Sequence, residues 1–193
     1  MPSRGTSPRT VPDTVPFKPF AYGHGPMDFS ELMTVRYSCR GFTDTKVSEE
    51  DIASIAEAGR IAPSAKNLQP TRVFAITDAT ALEKVGKLTR IYNAPLAFIV
   101  CGDKGLSWKR DCDGMDSYQI DASIVATQMM YRATELGLGT LYICWFDPKD
   151  VIQDLGIPSN LEPVSILAVG HPSVDDSPNH MKRIDVDTFM TRI

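Results

Sequence analysis

The spacing of hydrophobic and polar residues divides the chain into helical and extended segments that follow one another. Helices are predicted over 29–35, from 49 to near 60–62, and over 79–88, 116–136 and 148–156. Short apolar strands are predicted over 73–76, 96–101, 140–145 and 164–169. Ser48, Asp78 and Asp147 stand just before three of these helices, where a short polar side chain caps free backbone N–H groups.

Two segments are more hydrophobic than an exposed element requires. Residues 96–101 are continuously apolar, which predicts a strand buried on both faces. The longest helix is expected to start at Asp116, with Gln119 at capping-box spacing, and to end at about Leu136, before a Gly-Leu-Gly stop signal. It carries apolar residues on more than one face, so it is central either in a monomer's core or in an interface. We expect it to pack against its own copy in a homodimer.

Composition narrows the class of protein. The chain of 193 residues is long enough for one domain with a sizeable core. A net charge of -4 without a basic stripe argues against a nucleic-acid-binding protein, and no apolar run reaches membrane-spanning length. The four cysteines form no C-x-x-C pair, and two of them, Cys101 and Cys144, fall within predicted strands. We interpret all four as free thiols, without a zinc site or a disulfide framework, in a cytoplasmic protein.

Residues 1–27 differ in composition from the rest of the chain. They are rich in Pro, Ser, Thr and Gly and show neither a helical nor a strand period. Arg4 and Arg9 are not followed by an apolar core, so no secretory signal is expected. We interpret residues 1–27 as a disordered leader or an extended arm, and residues 28–193 as the folded domain.

The loop between the second helix and the first strand, residues 62–70, concentrates polar groups between two prolines. Proline restricts its own backbone and that of the preceding residue, so the loop should be stiff. Ser64, Asn67 and Gln69 each donate and accept hydrogen bonds, which suits the edge of a heterocyclic ligand. The alternative is that these groups cap the preceding helix.

A second candidate is the R-x-S-x-R motif formed by Arg36, Ser38 and Arg40. Two guanidinium groups and a hydroxyl are suited to a phosphate, although two surface arginines on a solvated turn would look the same. The irregular segment 102–115 is open to two interpretations, a lid over a site or a connecting loop. The three histidines form no convincing Ser-His-Asp or Cys-His set.

In combination, R-x-S-x-R, A-P-S-A-x-N-x-Q-P, and a long helix ending in G-L-G-T resemble the nitroreductase-like FMN-dependent flavoprotein family over about residues 28–189. The resemblance implies an α+β fold in which helices flank a mostly antiparallel sheet. It also implies an intertwined homodimer with two FMN sites at the subunit interface.

The resemblance implies roles for particular residues. Arg36 and Ser38 match the positions that hold the FMN phosphate and ribityl chain, and Arg40 matches a position beside the pyrimidine edge of the flavin. The full set of cofactor-binding residues expected in this way is Arg36, Tyr37, Ser38, Arg40, Pro63, Ser64, Asn67, Gln69, Cys144, Trp145, Lys182 and Arg183.

The residues of this set are expected to approach different parts of the flavin, and some of them the flavin of the other subunit. The loop from Pro63 to Gln69 would approach the flavin bound by the other subunit, whereas the backbone at Cys144 and Trp145 would approach flavin N5. Lys182 and Arg183 fall near a C-terminal basic position that reaches the phosphate. The sequence departs from the family pattern at Tyr37, where a second arginine is common, at Thr71, where an aromatic residue is common, and at His171, where tyrosine is common.

The activity implied by the resemblance is ping-pong transfer of hydride from NAD(P)H through flavin N5 to a nitroaromatic, quinone or similar small-molecule electron acceptor. The flavin carries this chemistry, so no protein nucleophile is required. Two alternatives stay open: a flavin-binding or flavin-handling protein without NAD(P)H turnover, and a module that uses Arg36 and Arg40 to hold another phosphorylated ligand.

Overall fold

The computed structural model describes residues 27–193, so all of the predicted leader except Met27 lies outside the described residues. The helices are α1 Phe29–Val35, α2 Glu49–Arg60, α3 Ala79–Leu88, α4 Tyr118–Glu135, α5 Pro148–Leu155 and α6 Val186–Phe189. The strands are β1 Thr71–Ile76, β2 Leu96–Asp103, β3 Gly139–Ile143 and β4 Leu161–Gly170. They form one antiparallel sheet in the order β1-β2-β4-β3. The predicted α+β class with an antiparallel sheet is confirmed.

Strand β2 divides the core into two layers. Its side chains alternate, with Ala97, Ile99 and Cys101 in one hydrophobic cluster and Leu96, Phe98 and Val100 in the other. Helices α3 and α5 cover the first cluster, and α2 and α4 cover the second. The prediction that this strand is buried on both faces is confirmed.

Helix α4 is the main helix of the second layer. It packs against α2 closely enough that a Cβ added to Gly59 would lie 2.8 Å from Met129 Cγ. The helix was predicted to start at about Asp116, and its first helical residue is Tyr118, with Ser117 at the N-cap position. The Asp116 carboxylate accepts the Tyr118 N–H at 3.2 Å. The Ser117 hydroxyl makes no capping bond and donates to Asp121 Oδ2 at 2.8 Å.

Each of the four strands has at least one boundary that differs from the prediction. β3 ends at Ile143, which leaves Cys144 exposed after the strand rather than buried within it. β4 begins at Leu161 and includes Pro163, which a register shift opposite Val100 and Cys101 accommodates. β1 is an edge strand that begins at Thr71, and its exposed side chains give little hydrophobic signal.

The two glycines after α4 have separate tasks. Gly137 ends the helix in a left-handed conformation (φ 75°), and the N–H of Leu138 donates to Ala133 O as in a Schellman motif. At Gly139 a Cβ would lie 2.9 Å from Cys39 Sγ, so glycine lets the 36–42 segment approach β3. The Gly-Leu-Gly sequence therefore both stops α4 and admits the segment that carries R-x-S-x-R.

Candidate functional site

The R-x-S-x-R segment lies along the outer edge of β3. Cys39 is fully buried and donates its backbone N–H to Thr140 O at 2.8 Å, and Ser38 forms a parallel bridge to Thr140. Because Cys39 is the inward residue, its neighbours Ser38 and Arg40 are exposed on the other side. The buried cysteine thus fixes the two polar residues of the motif.

Beside this segment is a cavity of about 490 Å³, which we call the arginine cavity. Its lining residues are Arg36, Tyr37, Ser38, Arg40, Ser177, Asn179, His180 and Arg183. Among the described residues, Arg36 Nε is buried without a hydrogen-bond partner. A buried guanidinium N–H without an acceptor is costly in a finished site. Three guanidinium groups and one orphaned donor suit a phosphate, which supplies several acceptor oxygens.

Tyr37 and His180 tie the two walls of the arginine cavity together. The Tyr37 hydroxyl donates to Val174 O at 2.7 Å, and the His180 Nε2–H donates to Thr34 O at 2.7 Å. The two rings meet edge-on, 6.4 Å apart. Burial, followed by the nearby Cys39 thiol, raises the pKa of Tyr37 to about 12, so the phenol remains a neutral hydrogen-bond donor.

A second cavity, of about 390 Å³, opens at the end of β3, and we call it the strand-end cavity. Its lining residues are Arg40, Thr89, Arg90, Tyr92, Leu141, Tyr142, Ile143, Cys144 and Trp145. Arg40 also lines the arginine cavity, so the two cavities meet at its side chain. Burial raises the pKa of the Cys144 thiol, which keeps it protonated rather than a nucleophilic thiolate.

The 62–70 loop is strained. Lys66, Asn67 and Gln69 have φ values of 51°, 54° and 51°, a left-handed conformation that residues other than glycine adopt at a cost. Ser64 Oγ accepts the Gln69 N–H at 2.9 Å, and Gln69 Nε2 donates to Asn67 Oδ1 at 3.1 Å. The loop's polar groups thus bond to one another, and the alternative that they cap α2 is wrong.

Asp121 anchors this loop to α4. Its side chain is 1% exposed, and Oδ1 accepts the Ala65 N–H at 2.9 Å while Oδ2 accepts the Ser117 hydroxyl. A carboxylate buried this deeply is tolerated only when it is well hydrogen-bonded.

The 62–70 loop lines neither the arginine cavity nor the strand-end cavity. Pro63 lines a groove of about 770 Å³ along α4, and Ser64 and Gln69 line a separate cavity of about 390 Å³ with Arg60 and Arg72. None of Arg36, Ser38 and Arg40 lines either of these two. The predicted site residues that line these cavities therefore form two groups on one chain. One group lines the arginine and strand-end cavities, and the other belongs to the 62–70 loop. Asn67 and Lys182 line none of the four cavities.

The segment between β2 and α4 contacts the loop. Lys66 Nζ lies 5.7 Å from the centre of the Trp108 ring, within cation–π range. The N–H of Asp103, the last residue of β2, donates to Pro70 O at 2.9 Å. Any ligand that touches the 62–70 loop therefore lies near this segment.

Sequence reasoning missed several lining residues. Arg90 adds a second guanidinium to the strand-end cavity, and Ser177, Asn179 and His180 complete the arginine cavity. None belongs to a motif: Arg90 follows the end of α3, and the other three lie on an irregular segment. Only Asp121 carried a signal, as an acidic residue on the buried face of an apolar helix.

Among the described residues, no helix is both long and apolar enough to cross a membrane.

Comparison with known proteins gives concordant matches. A crystal structure of a nitroreductase family protein from Clostridium difficile 630 superposes with a TM-score of 0.82 at 40% identity, covering 86% of this chain and 98% of that one. A protein of Archaeoglobus fulgidus, named a candidate NADH dehydrogenase/NAD(P)H nitroreductase, is 28% identical over 74% of this chain and 84% of its own length. The FMN reductase (NAD(P)H) of Bacillus subtilis strain 168 is 29% identical over 73% of this chain and 64% of its own length. The model of the Nitroreductase family matches residues 33–96 and 82–171, and the chain belongs to that family.

Proposed function

We propose that this protein is an FMN-dependent oxidoreductase that takes electrons from NAD(P)H and passes them to a nitroaromatic, quinone or similar small acceptor. The names of its relatives, FMN reductase and NAD(P)H nitroreductase, support this reaction class. The observation that carries the proposal is the orphaned Arg36 Nε in a cavity with two further guanidinium groups. When bound, the flavin supplies the two-electron chemistry.

Arg36, Ser38 and Arg183 are the residues that would hold the FMN phosphate. All three line the arginine cavity, and Arg36 has a donor to spare. Lys182 is less well supported as a phosphate-binding residue, since it does not line that cavity.

Arg40 and Arg90 would face the pyrimidine edge of the ring in the strand-end cavity. Negative charge develops on this edge when the flavin is reduced, and a fixed cation there favours the reduced state. The backbone N–H groups of Cys144 and Trp145, at the end of β3, are proposed to face N5.

The 62–70 loop is proposed to serve the flavin held by a second copy of the chain. This assignment rests on the separation of the loop from the arginine and strand-end cavities within one chain. A site divided in this way is completed by a symmetric partner.

Two surfaces support a homodimer. Helix α4 exposes Ile120 (51%), and it leaves Gln128 Oε1 buried without a partner among the described residues. The C-terminal segment presents large apolar side chains that nothing in the described chain covers: Met181, Ile184, Val186, Phe189 and Ile193. Exposed apolar groups in such number mark an interaction surface. We propose a cytoplasmic location, in keeping with four free thiols.

The proposal is tested by incubating the purified protein with FMN, removing unbound flavin on a desalting column and recording the visible spectrum. A flavin spectrum, with NADH or NADPH oxidation that depends on an added nitroaromatic or quinone and gives parallel double-reciprocal plots, is the expected result. A protein that stays colourless contradicts flavin binding. A yellow protein that oxidises neither nucleotide with any acceptor contradicts the oxidoreductase and favours a flavin-handling role.

A further inference from the structure

The turn between β3 and α5, residues 144–147, has few internal constraints. β3 ends at Ile143, which pairs with Ile166, and α5 begins after the N-cap Asp147. Between them, the side chains of Cys144 and Trp145 are exposed, and that of Trp145 is 81% exposed. Phe146 packs against the first core cluster, but the side chains of Cys144 and Trp145 do little to fix the backbone at these two residues.

One hydrogen bond from elsewhere in the fold holds the turn. The hydroxyl of Thr89 donates to the carbonyl oxygen of Trp145 at 2.8 Å, across 56 residues of sequence. In the described part of the chain, no other hydrogen bond reaches the backbone of 144–146 from outside the turn.

Thr89 is well placed for this task. It is the C-cap residue of α3, its own N–H donates to Val85 O, and it is only 5% exposed. Helix α3 is in turn joined to α5, since Lys84 Nζ donates to Asp154 O at 3.0 Å. The hydroxyl is thus carried by a fixed part of the fold, and it bonds to the carbonyl of a residue whose own side chain is exposed.

We infer that Thr89 is a positioning residue for the flavin. Through the Trp145 carbonyl it fixes the peptide groups at the end of β3, and so the backbone donors at Cys144 and Trp145 that face the flavin N5. This inference rests on the proposed function for the role of N5, but the positioning of the turn by Thr89 stands on the structure of the chain itself. A donor held at a fixed position stabilises developing charge better than one that must reorganise.

The test uses Thr89→Val, which removes the hydroxyl but keeps the branched shape, and Thr89→Ser, which restores the hydroxyl. Thr134→Val is the matched control, because its hydroxyl bonds only to Met130 O within α4 and it lines neither the arginine nor the strand-end cavity. Two measurements are made: nitrogen-15 order parameters of the backbone amides in the flavin-free protein, and the midpoint potential of the FMN-loaded protein.

In the flavin-free protein, Thr89→Val should lower the order parameters of the amides of residues 144–146, whereas Thr89→Ser and Thr134→Val should not. Unchanged order parameters in Thr89→Val overturn the positioning role, whether or not the protein binds FMN.

In the FMN-loaded protein, Thr89→Val should lower the ratio of reduced to oxidised flavin about threefold to tenfold, which is the effect expected from the loss of one hydrogen bond. For a two-electron couple this corresponds to a midpoint potential lower by ~15–30 mV. FMN affinity should fall less than in Arg36→Ala, because Thr89 lines only the strand-end cavity and the three guanidinium groups of the arginine cavity remain. A drop in FMN affinity without a shift in potential overturns the link to N5. If the wild-type protein binds no FMN, the proposed function and the link to N5 are overturned, while lower order parameters in Thr89→Val would still support the positioning of the turn.

Discussion

Asp121 on α4 accepts a hydrogen bond from the backbone N–H of Ala65, at 2.9 Å, and so joins the central helix to the strained 62–70 loop. The same carboxylate accepts the Ser117 hydroxyl at the start of that helix. Three left-handed residues in the loop mean that its shape is imposed by contacts such as this one rather than by local preference.

Asp121→Ala should therefore lower both stability and FMN affinity. It leaves the partly buried Ala65 N–H and the buried Ser117 hydroxyl without acceptors, so the free energy of unfolding should fall by about 2–4 kcal/mol. Urea unfolding measures the first effect, and FMN titration well below the unfolding midpoint measures the second. The control Asp111→Ala changes an exposed acidic residue and should alter neither quantity appreciably. If Asp121→Ala is destabilised but binds FMN as tightly as the wild type, the 62–70 loop does not contribute to FMN binding.

Arg36→Ala tests the phosphate assignment. It removes the guanidinium whose Nε has no acceptor within the described chain, so FMN affinity should fall by about 1.5–3 kcal/mol, the usual loss for a hydrogen bond to a charged group. Arg110→Ala is the control, because Arg110 is exposed and pairs with Asp113 away from both cavities. Equal FMN dissociation constants for the two variants would show that the phosphate lies elsewhere.

Arg40→Ala and Arg90→Ala test the charge at the flavin edge. Both side chains line the strand-end cavity, and loss of either cation should destabilise the reduced flavin and lower the midpoint potential by ~30–65 mV, equivalent to about 1.5–3 kcal/mol for two electrons. Potentials are measured by equilibration with reference dyes. An unshifted potential in Arg40→Ala counts against the place of Arg40 at the pyrimidine edge. If Arg40→Ala shifts the potential and Arg90→Ala does not, Arg90 does not face the flavin.

Gly139→Ala tests how the motif is positioned. The new Cβ would lie 2.9 Å from Cys39 Sγ and 3.0 Å from Cys39 Cβ, so the 36–42 segment must move away from β3 and FMN binding should weaken. Gly86→Ala, in α3, is the matched control because its Cβ would meet nothing within 4 Å. That change should leave FMN binding intact and stabilise the protein by about 0.5–1 kcal/mol, the difference in helix propensity. Tight FMN binding by Gly139→Ala would contradict the account of the Gly-Leu-Gly sequence.

The sequence predicts the fold well where signals are local. The caps at Ser48, Asp78 and Asp147 and the buried strand β2 all follow from short-range chemistry and are confirmed. Differences occur at element ends. The Ser117 hydroxyl bonds to Asp121 one turn further on and does not cap α4, and Cys144 lies just after the end of β3.

The candidate site is predictable only in part. Arg36, Ser38 and Arg40 belong to a motif, and the structure places them on one cavity wall. Thr89 and Arg90 are brought to the end of β3 by the path of the chain after α3, which no spacing rule encodes. The separation of the 62–70 loop from the arginines is likewise a property of the folded chain.

The central claim is that FMN binds at a site that two copies of the chain complete. Sedimentation velocity with detection at 280 nm and at the flavin absorbance near 450 nm tests it directly, for the wild type and for Ile120→Asp on the exposed face of α4. In the wild type, the flavin signal should sediment with a species of twice the 21.3 kDa protomer, at one FMN per chain. Ile120→Asp should shift the protein toward monomer and release its flavin in proportion. Flavin that sediments with the monomer, undiminished, would contradict the account.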